Sequence, residues 1–361
     1  MYIFLSIIAF GLLIAIHELG HFIAAKLLDV RVNEFAIGMG PKIISKQGKE
    51  TLYSLRALPF GGFCAMDEDT INDDKDDDED SEPDPRMFNA KARWKRVIIL
   101  LSGGVANIIA AFIIILIITS GAVGFIGTTI TGFDEGFPYE GPDGLMVGDT
   151  LISLNGERLY YRNDLQMFLQ LNTRGYADLV VRRGDETIEL NNFNMQRREY
   201  IINGEPIYRI GLYFNRIEAT PGEVLKYSVY STLNNIRLIR VSLAMIISGT
   251  AGIRDMGGPV AIVDVMNTIG QESSSFMQAL TGIATFTAFI GVNLAVVNLL
   301  PIPALDGGRI VLIVITWVIE KVTHRKPDPK YEAYINNGAF ILLLGLMVFF
   351  LINDVMRIVD G

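Results

Sequence analysis

Histidine is scarce in this chain, with three in 361 residues, and two of the three flank a glutamate in His17-Glu18-Leu19-Gly20-His21. On a helix, residues four apart project from one face, so both imidazoles reach a single metal ion. Glu18 has the chemistry of a general base: it takes a proton from a water that a metal has acidified and hands it to a departing amine. A catalytic zinc usually takes three protein ligands and keeps a fourth position open. A third ligand must therefore come from elsewhere in the chain.

The motif lies in an apolar run, residues 2–28, that as a helix is about 40 Å long, enough to cross a hydrocarbon core of about 30 Å. An ionised group at the bilayer centre costs about 3 kcal/mol, so a glutamate between two histidines there marks a functional position. The other candidate is Asp306, the sole carboxylate between Ser273 and Ile319. It follows Asn298, Pro301 and Pro303, and a helix broken by prolines inside a membrane is tolerated only where protein lines a cavity. The first and third spans run in the same direction and both motifs come late in them, so His17, His21 and Asp306 are expected to meet at one depth. Taken alone, Asp306 also suits a turn before Gly307-Gly308.

Half of the residues are hydrophobic and Cys64 is the one cysteine, which implies a membrane protein with one extramembrane module and no intrachain disulfide. The net charge of −9 owes much to an acidic block at 67–84, expected to be a disordered, solvated loop. Nothing in the composition points to nucleic acid or to an organic cofactor. No Lys or Arg precedes the first apolar run and no Ala-x-Ala follows it, so it is read as a retained span. Further spans are expected at 97–118, at 279–319 with a forced break, and at 338–352 extended back to Tyr334. The loops after spans one and three carry Lys42, Lys46, Lys49, Arg56, Lys321, Arg325, Lys326 and Lys330, which places both in the cytoplasm. Both termini and residues 121–278 then lie outside.

Glycine-punctuated strand signals at 35–37, 42–44 and 51–55 predict a small sheet near the membrane. The module is expected to have strands at 149–154, 177–182, 187–190 and 207–214, a turn at Asn155-Gly156 and a helix at 163–171. Residues 224–248 are read as an external amphipathic helix lying on the bilayer or on the module. The fold class is a polytopic α-helical membrane protein of about four transmembrane helices, with a membrane-associated β-hairpin sheet and an external α+β domain. The boundaries are 1–28 for the first span, 29–66 for the sheet, 67–90 for the acidic loop and 91–120 for the second span. They continue with 121–217 for the module, 218–277 for a linker region, 278–320 for the broken third span, 321–333 for a loop and 334–355 for the last span.

The segments His17 to His21, Gly38-Met39-Gly40-Pro41, 58–63, 257–262 and above all Asn298-Leu299-Leu300-Pro301-Ile302-Pro303-Ala304-Leu305-Asp306-Gly307-Gly308-Arg309 resemble the site-2 protease family of intramembrane zinc metalloproteases. They are most similar to its bacterial regulator-of-sigma-E protease branch. The resemblance implies Zn2+ as cofactor and cleavage within single-pass transmembrane proteins, such as anti-sigma factors, or of signal-peptide remnants. It implies a bacterial cytoplasmic membrane location, with the metal toward the cytoplasmic side. Pro142 to Asp149 followed by Asn155-Gly156 resembles a PDZ domain, here in one copy, which implies substrate selection by size or by binding a C-terminus. Asn107 and Asn298 are implied to lie near the site as substrate or oxyanion contacts, and Gly104 stands where the family usually has proline. The strands at 35–55 would offer an edge to an unwound substrate.

Three other readings compete. A membrane-anchored zincin cutting soluble segments would need a Glu or a third His, and the remaining His324 sits in a basic loop. A non-catalytic PDZ adaptor has no use for Glu18, and a metal transporter would carry ionisable groups in several spans.

Overall fold

The computed structural model describes residues 1–66, 84–172, 174–202, 205–250, 258–325 and 329–360. The acidic run at 67–83 and Gly257 of the resemblance lie outside them. In chain order the elements are α1 (Tyr2–Leu27), β1 (Val32–Gln47), β2 (Leu52–Met66), α2 (Arg93–Thr119), β3 (Gly124–Phe133), β4 (Thr150–Leu154) and β5 (Glu157–Arg158). There follow α3 (Arg162–Leu171), β6 (Tyr176–Arg183), β7 (Glu186–Asn194), β8 (Arg198–Ile202), β9 (Glu205–Arg209), β10 (Leu212–Glu218) and α4 (Pro221–Ile247). The chain closes with α5 (Pro259–Glu272), α6 (Phe276–Asn298), α7 (Asp306–Thr323) and α8 (Pro329–Asp360). Two compact units result, residues 1–115 with 235–361, and residues 116–234.

In the first unit, α1, α2 and α6 are each long and apolar enough to cross a membrane, and a shorter apolar stretch at 337–350 lies within α8. The expected break in the third apolar region is present: α6 ends at Asn298 and α7 begins at Asp306. Asp306 therefore opens a new helix rather than standing late in a span, because Pro301 and Pro303 cannot continue the ladder.

Small residues let the helices close on the site. A Cβ on Gly20 would lie 2.8 Å from Ala106 Cβ, so α1 and α2 touch almost backbone to backbone there. Helix α4 meets the expectation for 224–248 in part, its Val224 packing with Phe125 and Tyr161 of the second unit. The segment is helical, but Ile236, Ile239 and Leu243 pack with Ala111 and Ile115 of α2 and with Ala288 and Val292 of α6. Its polar residues Asn234, Asn235, Arg237 and Arg240 mask an apolar stripe at helical spacing.

The sheet formed by β1 and β2 is folded back on itself. Residues 34–37 pair with 52–55 on one side and with 62–65 on the other, while 44–47 pair with the far side of 52–55. Within the 35–55 stretch expected to offer an edge, 35–37 is thus interior and 44–47 is an outer segment, as is 62–65 beyond it. Gly38 and Gly61, at φ 84° and 87°, supply two of the reversals, a backbone state that costs other residues free energy.

In the second unit the sheet order is β10-β3-β4-β6-β7, with β5 on β4, and β8 pairs with β9 as a separate hairpin. Asn155 and Gly156, at φ 50° and 79°, make the expected tight turn between β4 and β5. The expected strand at 207–214 proves to be parts of β9 and β10, divided at Gly211 with φ 86°. Leu151, Leu154, Leu165, Leu179 and Val181 are buried between sheet and α3.

Candidate metal centre

His17 and His21 lie one turn apart on α1, and both are buried. Their rings meet edge to face, with centroids 4.8 Å apart and planes at 83°, which turns both Nε2 atoms to one point. The two Nε2 atoms are 3.2 Å apart. Asp306, at the first turn of α7, brings Oδ2 to 3.2 Å from each of them. At zinc bonds of roughly 2.0–2.1 Å in tetrahedral geometry, ligand atoms stand about 3.3 Å from one another. This near-equilateral triangle therefore fits zinc, and among the described residues it is the one group of His, Cys, Asp or Glu side chains able to hold a metal.

Each part of the triangle has a local cause. The His21 Nδ1–H donates to the Ile99 carbonyl at 2.8 Å, which fixes the ring and leaves Nε2 free to ligate. Gly103 makes the space: a Cβ there would lie 2.7 Å from His21 Cε1 and 2.8 Å from His17 Cε1. Behind Asp306, Gly307 and Gly308 pass against the backbone carbonyls of Leu299, Leu300 and Ile302, where a side chain has no room. Ala304 takes φ 71° to make the turn. Glu18 is half-buried beside the three groups. Gly62 packs on the same side chain, since its Cβ would fall 3.3 Å from Glu18 Cγ. Burial pushes the Cys64 thiol up to about 12, and Cys64 is not part of the metal-holding group.

Both asparagines named from the sequence reach the centre. Asn298 Nδ2 lies 3.2 Å from His17 Nε2, and the Asn107 side-chain amide, fully buried, meets His17 on its other nitrogen, Nδ1. The glycine at 104 leaves α2 an unbroken helix, packed on Leu299 and Ala295. His324 closes α7 in a left-handed conformation and takes no part in the triangle. The Ile99 carbonyl, Gly103 and the 62–64 strand were missed in the sequence. Backbone carbonyls and N–H groups leave no mark there, although the spacing 99, 103, 107 is a helical stripe.

The family model described as peptidase family M50 matches residues 5–346. This chain belongs to peptidase family M50. It is 36% identical over 354 residues, 98% of this chain and 97% of the other, to a relative named a zinc metalloprotease in Clostridium acetobutylicum. A similarly named relative in Clostridium perfringens is 34% identical over 357 residues, 98% of each chain. The regulator of sigma-W protease RasP of Bacillus subtilis is 26% identical over 437 residues, 98% of this chain and 97% of its own. Like these M50 relatives, the chain is a zinc metalloprotease of the site-2 protease family, and its apolar helices are those of a membrane protein.

Proposed function

We propose that this M50 protease hydrolyses peptide bonds within the transmembrane segments of single-pass proteins, with His17, His21 and Asp306 holding the zinc and Glu18 as the base. The observation that carries the reading is the triangle of 3.2 Å separations, with two corners on α1, a helix of membrane-spanning length, beside a carboxylate. When bound, zinc supplies Lewis acidity, acidifying a water and polarising the scissile carbonyl. Glu18 accepts the water's proton and returns it to the leaving amine. The Asn298 amide, a donor beside the ligating edge of His17, stabilises the developing oxyanion.

A transmembrane helix hides its peptide bonds in its own ladder and must be drawn out before hydrolysis. The outer segment at 62–65 is placed to do this, because Gly62 packs on the Glu18 side chain and backbone groups on one edge recur at alternate residues. An extended substrate added there runs past the metal. Proline at Gly62 or Met66 should slow cleavage severalfold and leave zinc content unchanged, and cleavage at the wild-type rate would remove the edge from the account.

The second unit is read as a PDZ domain, extending past the expected boundaries to 116–234. Its groove of about 820 Å³ runs between α3 and the sheet-edge strand β10, lined by Leu165, Leu169, Leu212 and Phe214 together with Arg162, Arg197 and Arg209. That lining suits an extended apolar C-terminus. The family resemblance also supports four spans with the module outside, and a relative named for sigma-W regulation supports anti-sigma factors as the substrate class.

The test is cleavage of a model single-span substrate by purified protein. Wild type should cut it inside the span and carry zinc, while Glu18→Gln should carry zinc and not cut. Cleavage by Glu18→Gln at the wild-type rate would overturn the assignment.

A further inference from the structure

We infer that Asn107 is the positioning residue for His17: its side-chain oxygen accepts the His17 Nδ1–H and so holds Nε2 toward the metal. The inference rests on the metal ligands proposed above. A histidine that ligates through Nε2 carries its proton on Nδ1, and that N–H needs an acceptor when buried. For His21 the acceptor is the Ile99 carbonyl, 2.8 Å from Nδ1. For His17 the group at that place is the Asn107 amide, with Nδ2 3.5 Å from Nδ1.

In that orientation two donors would face each other once Nε2 ligates. Asn107 Oδ1, meanwhile, is buried without a hydrogen-bond partner among the described residues. The two ends of a carboxamide have nearly the same shape, so a half-turn of the amide puts Oδ1 opposite Nδ1 with no other movement. The mismatched pair becomes an N–H···O bond, Oδ1 gaining a partner while Nδ2 moves into its former place.

The helix geometry supports the same assignment. Positions 99, 103 and 107 are four apart, so they line one stripe of α2, and His21 and His17 line one stripe of α1 running the other way. Ile99 serves His21, Gly103 clears space for both rings, and Asn107 serves His17. Asn107 thus acts through His17, and the substrate-side role implied for it from the sequence passes to Asn298 alone.

The test is zinc affinity by chelator competition on the purified full-length protein, with Asn107→Leu and Asn107→Asp. Leucine fills the space without an acceptor and should weaken zinc by about 10–100-fold. Aspartate presents an oxygen in either protonation state and should bind zinc as wild type does. Leucine binding zinc as tightly as wild type, or aspartate weakened by about tenfold or more, overturns the inference. Should Asn107→Leu fail to fold, the aspartate variant alone decides it by the same criterion. A failure of the metal assignment itself is distinguishable, because there Asp306→Asn would also leave zinc binding unchanged.

Discussion

At the scale of single residues, the centre depends on small groups as much as on its ligands. Gly103 and Gly104 are neighbours on α2 with opposite surroundings. A Cβ at 103 would enter both imidazoles, whereas one at 104 would stand 3.3 Å from Leu299 Cδ1, a side chain able to shift. Gly103→Ala should therefore lower zinc affinity by about tenfold or more, and Gly104→Ala should leave it near wild type, read by the same chelator titration. Equal effects would mean that helix packing rather than ring placement sets the affinity. His17, Glu18, His21 and Asp306 were legible in the sequence because ionisable groups are rare in apolar runs and each must have a use. The Ile99 carbonyl was not, since every residue has one and only the fold decides which is spent on a ligand.

At the scale of elements, the decisive feature is the interruption between α6 and α7, which frees Asp306 to face α1. Ala304 holds a left-handed conformation there, which costs a non-glycine residue roughly 1–2 kcal/mol. Ala304→Gly should keep cleavage and equal or exceed the wild-type unfolding temperature, while Ala304→Val, β-branched, should lower both. A valine variant as stable as wild type would show that the turn is not a constraint. Two prolines within three residues made this break readable in advance. The order of segments in the folded-back sheet was not readable, because β propensity is local and 34–37 pairs with both 52–55 and 62–65 through contacts distant in sequence. Helix α4 was read by its polar residues, and the stripe that meets α2 and α6 was hidden among them.

At the scale of the whole molecule, the second unit has stabilising contacts of its own. Within the second unit Asp149 is fully buried, accepts the Met146 N–H and is paired at 2.8 Å with Arg183. Burial alone would raise the Asp149 carboxyl, but the Arg183 guanidinium and the Met146 N–H outweigh it and hold it below the ordinary value. A carboxyl depressed on folding contributes stability above its unfolded value of about 3.9, and that contribution is lost as pH falls through the depressed folded value. Arg183→Ala, which strands the buried charge, should cost about 3–5 kcal/mol in this unit. The unfolding transition of the unit should move down in calorimetry while bound zinc per chain stays the same. Loss of zinc in Arg183→Ala would contradict a stabilising role confined to this unit. Strands β4, β6 and β7 and the Asn155-Gly156 turn were foreseeable from the sequence, whereas β3 was not. The β8–β9 hairpin was not, because its strands are short and largely exposed.

The central claim, that two imidazoles of α1 and one carboxylate of α7 hold a single zinc, is tested most directly by zinc X-ray absorption on the purified protein. The account predicts one zinc per chain with two imidazole nitrogens and oxygen ligands at roughly 2.0–2.2 Å, and a changed spectrum or lost metal in His17→Ala, His21→Ala and Asp306→Ala alike. Zinc bound with an unaltered spectrum in any of the three variants would contradict it.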